Sequence, residues 1–277
     1  MLNRISTMTA LGAVATALAC AAGLVVHPSG AAGTAPAPDA RGRLLPDLVQ
    51  ILPSHVSIAH RTSLVRGRRT LLTFAAAAEN HGSGPLIIKG SRPDRNSSSM
   101  TARQLVRRAD GGTEVVPNVG RLRFVRSRDH RHWHLADFMR YELRTSSGAL
   151  VGGDHKTGYC LGDRFRIARA AFPGEPSRRV FKRRCGLSEP FLLSVSEGIS
   201  VGYGDRYPAF LEGQFIDITT VPAGRYVLVQ RVNPGHRLLD LHADNDVSSA
   251  LVSIKRRGSR TRARIVKWCT STETCRA

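Results

Sequence analysis

Residues 139–151 read Met139-Arg140-Tyr141-Glu142-Leu143-Arg144-Thr145-Ser146-Ser147-Gly148-Ala149-Leu150-Val151. Met139–Leu143 and Ala149–Val151 are strand-type runs, and the Thr145–Gly148 segment between them is turn chemistry, so the stretch predicts a β-hairpin. The same reading extends in both directions. Leu71–Ala78 is a buried-strand candidate, followed by a turn at Asn80–Gly84 and a short apolar run at Leu86–Ile88. Phe215–Thr219, Tyr226–Val232, Ala250–Ile254 and Ile265–Trp268 continue the series, with Pro222-Ala223-Gly224, Asn233-Pro234-Gly235 and Gly258 between them. Only Thr101–Arg108 reads as helix. Many short strands with Gly and Pro punctuation predict a mainly β chain: one antiparallel β-sandwich-like domain with few short helices.

Composition bounds the function. The chain has 277 residues, 42% of them apolar, enough for a packed core. Collagen-like repeats, long coiled coils and a polytopic membrane protein are excluded. Lys and Arg total 41 against 21 Asp and Glu, a net charge of +20. Only five of the basic residues are lysines: Lys89, Lys156, Lys182, Lys255 and Lys267. Chemistry that needs a primary amine therefore has few candidates. So basic a surface suits an acidic partner.

Residues 1–31 read as a secretory signal: Arg4, an apolar stretch over Leu11–Val26, and a small-residue cleavage site at Ser29-Gly30-Ala31. No twin arginine is present, so general secretion is expected. The apolar run is short for a spanning helix, so no membrane span is expected after cleavage. Lipidation at Cys20 is the minor alternative, disfavoured by Ala17 three positions before it. Residues 32–42 read as a linker and 43–277 as the domain. Losing Arg4 with the signal takes the net charge to +19. Four cysteines remain, an even number that predicts two disulfides in an exported chain. Proximity favours Cys160–Cys185 and Cys269–Cys275, out of three possible pairings.

The chemistry concentrates in Asp129-His130-Arg131-His132-Trp133-His134-Leu135. On a strand, alternate residues share a face, so three imidazoles would project together while Arg131 and Trp133 point away. Such a face suits copper, zinc, nickel or iron and leaves positions open for oxygen or substrate. Two other readings compete. One is a solvated strand surface. The other is a nucleic-acid face built from Arg121, Arg123, Arg126, Arg128 and Arg131 with Phe124 and Trp133.

Farther along lie Asp154-His155-Lys156-Thr157-Gly158-Tyr159-Cys160-Leu161, then Gly198–Tyr207, then Gly213–Thr219. With the histidines, the opening Pro46-Asp47-Leu48-Val49 and the later Val221–Tyr226 segment, this order resembles the catalytic domain of the lysyl oxidase family from about Leu45 to Cys269. The resemblance implies copper held by His130, His132 and His134. It also implies a lysine tyrosylquinone cofactor made from Lys156 and Tyr207, the catalytic pair. The implied activity is oxidative deamination of a primary amine, peptidyl-lysine or small, to an aldehyde, consuming O2 and releasing hydrogen peroxide and ammonia. Asp205 and Asp163 are candidate bases, and His155 reads as structural or as an orienting partner. The segment Asp240–Asp246 departs from the family's late loop, with His242 where an acid is usual. It is expected to be structural or to hold an ion.

The net charge opposes a cationic amine at long range. Either the substrate region is locally acidic, or the basic surface serves another purpose, such as tethering to acidic cell-envelope polymers. Two further functions stand against the oxidase: a non-catalytic secreted metal-binding module, and a polyanion binder led by the arginines of residues 121–131 and 255–264. Nucleic acid is not an expected partner.

Overall fold

The computed structural model describes residues 37–276 except 66, 128, 129, 155, 157, 169 and 170. Among the described residues there are strands and turns and no α-helix. In chain order the strands are β1 (Arg43–Leu44), β2 (Leu48–Gln50), β3 (Ser54–Ser63), β4 (Gly67–Asn80), β5 (Leu86–Ser91) and β6 (Ser99–Arg108). Next come β7 (Thr113–Arg126), β8 (Arg131–Leu135), β9 (Met139–Arg144), β10 (Leu150–Gly153), β11 (Phe165–Arg166) and β12 (Ser194–Ile199). The series closes with β13 (Tyr203–Tyr207), β14 (Phe215–Asp217), β15 (Gly224–Val232), β16 (Val247–Arg257) and β17 (Arg260–Thr270).

All pairings are antiparallel. One sheet runs β12-β5-β6-β7-β8, with β1 on β6. A second runs β10-β9-β15-β16-β17, so the hairpin of residues 139–151 forms as expected. The third is organised on β4, which pairs with β13, β14, β2 and β3, while β11 adds to β13. Alternation along each strand sends its apolar residues into one shared core. Phe74 of β4, Ile88 of β5, Leu122 of β7, Trp133 of β8, Tyr141 of β9, Leu228 of β15 and Val252 of β16 meet there, all fully buried. Each such side chain contributes ~1.5–3 kcal/mol by leaving water.

The helix expected at Thr101–Arg108 is strand β6 instead. Met100, Ala102, Gln104 and Val106 are buried, while Thr101, Arg103 and Arg107 face outward. Ala, Gln, Leu and Arg are good helix formers. Here the two-residue burial alternation and pairing to β5 and β7 override that preference. The expected leader lies outside the described residues, as do residues 32–36 of the linker. Residues 39–43 form a turn in which Asp39 accepts from the Arg41 and Arg43 amides. No helix among the described residues is long and apolar enough to cross a membrane.

The Asp240–Asp246 segment lies against β2. Asp240 accepts from the Leu48 amide at 2.9 Å, Asn245 donates to Asp47 at 2.9 Å, and His242 Nδ1 stands 3.2 Å from Asp47 Oδ2. Burial pushes both Asp240 and Asp246 above the usual carboxylate range; the charge of Asp240 raises Asp246 further, while that of Asp47 raises Asp240 against the hydrogen bonds it accepts. The segment therefore has the structural role expected. The unpartnered oxygens of Asp240, Asn245 and Asp246 are also a donor set suited to a hard divalent cation.

Both expected disulfides are formed, Cys160–Cys185 and Cys269–Cys275, at sequence separations of 25 and 6. On chain entropy the longer loop stabilises by ~3 kcal/mol and the shorter by ~2 kcal/mol. Thermal melts of Cys160→Ser/Cys185→Ser and Cys269→Ser/Cys275→Ser are expected to show the larger drop in the first. Equal drops would mean that loop length does not set these contributions.

Candidate functional site

Strand β8 carries two of the three histidines and is held on both edges. Along one edge it pairs with β7, His134 opposite Arg123 and His132 opposite Val125. Along the other, the Trp133 amide donates to Cys185 O at 2.9 Å, and Leu135 and Tyr159 exchange two backbone hydrogen bonds of 2.8 and 2.9 Å. The second edge brings the segment bearing Lys156 beside the histidines. Gly158 makes this approach possible, since a Cβ there would lie 2.8 Å from His134 Cβ and 3.0 Å from Leu135 O. Trp133 points into the core, as the alternation requires, with Phe124 packed edge-on against it at 5.6 Å. Trp133 therefore presents no face to a nucleic-acid base, which weakens that reading of the arginines around it.

His130, His132 and His134 converge, with ring centroids 4.6–5.4 Å apart. His132 Nε2 and His134 Nε2 face each other at 2.7 Å. Burial, and then the neighbouring positive groups, lower His132 to a pKa of about 4 and His134 to about 2, so both are neutral near pH 7. Neutral converging imidazoles are the donor set a borderline transition metal requires. On that chemistry the residues fit copper. Glu212 sits behind the group: its Oε2 lies 3.4 Å from His130 Nδ1 and accepts from Ser127 Oγ at 2.6 Å. Such a carboxylate fixes the ring orientation of a ligand histidine.

Tyr207 ends β13, opposite Ala76 of β4, where the Ala75–Ala78 run leaves room for its ring. Lys156 Nζ lies 5.3 Å from the Tyr207 ring centroid, 5.2 Å from that of Tyr159, and donates to Glu212 O at 3.3 Å. Tyr159 meets Tyr207 edge-on at 4.9 Å. Asp154 anchors the lysine segment by accepting from the Lys156 amide at 3.0 Å and the Tyr141 amide at 2.6 Å. Burial lowers Lys156 to a pKa of about 8, with Asp154, Asp205 and Glu212 opposing.

Asp205 is buried and accepts from the Tyr207 hydroxyl at 2.8 Å and the Gly162 amide at 3.0 Å. Burial raises it to about 7, against the pull of Arg164. Asp163, the other candidate base, is fully buried. It accepts from the Val180, Phe181 and Ser200 amides and from Ser200 Oγ, which makes it a structural hub. His155 lies outside the described residues.

The three histidines, Lys156, Tyr159, Asp205 and Tyr207 line one cavity of about 380 Å³ that also holds Arg164, Arg184 and Arg206, with Asp205 the sole acid among the described lining residues. The described lining is mainly basic, with Arg164, Arg184 and Arg206 set against Asp205. The three histidines, Lys156 and Tyr207 do come together. Sequence reasoning missed Glu212, Tyr159 and Arg164. None belongs to a motif of its own, although Tyr159 stands three residues after Lys156 and Glu212 five after Tyr207.

An antiparallel β domain with three histidines, a lysine and a tyrosine in one pocket defines a class, and the comparison with known proteins agrees with it. The lysyl oxidase family model matches residues 88–264, more than half of the chain and including every site residue above. The chain belongs to the lysyl oxidase family. It is 29% identical to Lysyl oxidase homolog 1 of Homo sapiens over 217 residues, covering 76% of this chain and 33% of that protein. Against Lysyl oxidase homolog 3A of Danio rerio it is 27% identical over 212 residues, covering 74% and 26%. Against Lysyl oxidase homolog 4 of Homo sapiens the identity is 30% over 138 residues, covering 50% and 16%. The chain thus spans a third or less of the curated relatives it matches.

Gly158→Ala is expected to destabilise the fold by ~1–3 kcal/mol and to displace His134, because backbone and the His134 Cβ have no flexible route out of the clash. Chemical denaturation and copper titration of the variant check both effects. Unchanged metal affinity would show that the approach at Gly158 does not set the histidine geometry.

Proposed function

We propose that this protein is a secreted copper- and lysine tyrosylquinone-dependent amine oxidase, with copper on His130, His132 and His134 and the quinone made from Lys156 and Tyr207. The observation that carries this reading is Lys156 Nζ facing the Tyr207 ring at 5.3 Å in the cavity that the three imidazoles line. Copper with dioxygen supplies the oxidising equivalents for cofactor formation, and the finished quinone accepts the electron pair of the substrate amine.

The chain's own residues supply the rest. Lys156 is the nucleophile for joining the two side chains. Its lowered pKa gives it a neutral amine at mildly alkaline pH, and its flexible four-carbon stem lets it close on the ring. Asp205, hydrogen-bonded to the Tyr207 hydroxyl and shifted to about 7, is placed to take the phenol proton and to act as the general base near neutral pH. Glu212 holds His130 through its carboxylate and Lys156 through its carbonyl, keeping the metal face and the nucleophile in register. The edge-on Tyr159 ring shields one side of Tyr207 from water.

The lining bears on the substrate. Arg164, Arg184 and Arg206 make a second ammonium group costly near the reacting amine. An apolar groove of about 470 Å³, formed in part by Ala75, Ala77, Phe165, Pro208 and Phe210, shares Arg206 and Tyr207 with the cavity. It suits an apolar tail. The preferred substrate is therefore a primary amine whose remainder is uncharged or anionic.

Copper loading in air is expected to produce a visible quinone band that shifts with phenylhydrazine and is missing in Lys156→Ala and Tyr207→Phe. A copper-loaded protein without that band would leave a non-catalytic metal-binding module. Because the lysine is an ammonium below about pH 8 and neutral above it, the maturation rate should rise with pH and level off above about 8. A rate that is flat across that range would separate Lys156 ionisation from the step. In steady-state assays a straight-chain alkyl monoamine should have a kcat/KM about tenfold above that of the diamine of equal length. The reverse order would sink the substrate assignment and leave the cofactor reading untouched.

A further inference from the structure

Strands β16 and β17 form a hairpin whose end is densely basic. Lys255 lies directly opposite Arg262 and Arg257 directly opposite Arg260. The intervening Arg256 turns away and fastens the hairpin, donating from Nε to Val221 O at 3.0 Å and from Nη1 to Thr261 Oγ1 at 3.2 Å. The four outward cations line a cleft of about 240 Å³ to which, among the described residues, no acid, no aromatic ring and no other side chain contributes. Each is exposed. Like charges facing one another across an antiparallel pair destabilise a hairpin. Here the arrangement occurs on two successive cross-strand pairs.

We propose that this cleft binds a linear phosphodiester polymer without bases, of the poly(glycerol phosphate) kind. Two rungs of paired cations stand roughly 7 Å apart along the strands, a ladder that engages a chain of regularly repeated negative charges better than a lone anion. Three of the four side chains are arginines, whose planar forks grip phosphate oxygens in pairs. The absence of an aromatic platform removes the stacking that single-stranded nucleic-acid sites use. The net charge of the whole chain steers such a polymer toward the protein, and the cleft gives it a place to settle. This site is separate from the copper and quinone residues and does not depend on the amine-oxidase reading. It also gives the opposed charges a purpose: the hairpin is less stable alone than with its ligand.

The test pairs affinity with stability. Binding of a synthetic poly(glycerol phosphate) oligomer to the secreted protein would be measured by calorimetry over a range of salt, for the wild type, Arg257→Glu, Arg257→Gln/Arg262→Gln and the distant control Arg103→Glu. The expected result is at least about tenfold weaker binding in Arg257→Glu, and a salt slope flatter by about 1.4 in the double variant, at ~0.7 per cation lost. The control should stay within about twofold of wild type. Arg257→Glu should also melt about 1–3 °C higher, because an attractive pair replaces a repulsive one. Unchanged affinity in both cleft variants, an equal loss in the control, or a lower melting temperature in Arg257→Glu would each overturn the proposal. So would a thymidine oligonucleotide of matched charge binding as tightly as the poly(glycerol phosphate).

Discussion

The register between β13 and β4 is the constraint on which the candidate site depends. Tyr207 pairs with Ala76 and Asp205 with Ala78, and both side chains turn to the same face because they are two residues apart. A slip of one residue would send both to the opposite face. The phenol and the carboxylate that accepts its hydrogen bond would leave the cavity together. β4 resists such a slip because it is pinned elsewhere by β2, β3 and β14. Its run of four alanines matters for the same reason, since larger residues there would compete with the Tyr207 ring for space.

Charge in the site is kept low by burial rather than by pairing. Two histidines, Lys156 and Asp205 are all shifted toward their neutral forms, and burial is the leading cause in each case. A pocket made this way holds neutral imidazole near pH 7 and a neutral amine above about pH 8, which is what metal ligation and nucleophilic attack respectively require. The arginines at the mouth then set a positive field over groups that carry little charge themselves.

The fold was legible because two-residue alternation and turn residues are local signals. The hairpin of residues 139–151, the strand through Leu71–Ala78 and the histidine face were all visible that way. β6 was misread because its residues are helix formers whose strand state is decided by β5 and β7, which lie far away in sequence. In the site, the histidines declared themselves by spacing. Lys156 and Tyr207 are 51 positions apart and share no local pattern, so only the family resemblance joined them. Tyr159 and Arg164 stayed hidden because their roles come from the cavity they line, and Glu212 because its role comes from its contacts with His130 and Lys156. No residue pattern around them encodes either.

The Cys160–Cys185 bond has a consequence for the order in which the protein must assemble. Cys160 lines the same cavity as the three imidazoles, and the backbone of Cys185 supports the strand that carries two of them. Before the bond closes, that cavity would contain a free thiol, a softer and stronger ligand for a late transition metal than imidazole. Oxidation of the sulfurs removes this competitor and locks the histidine strand in one event. A metal held here would inherit part of its selectivity from the compartment, because a chain already folded in an oxidising environment offers a purely nitrogen face.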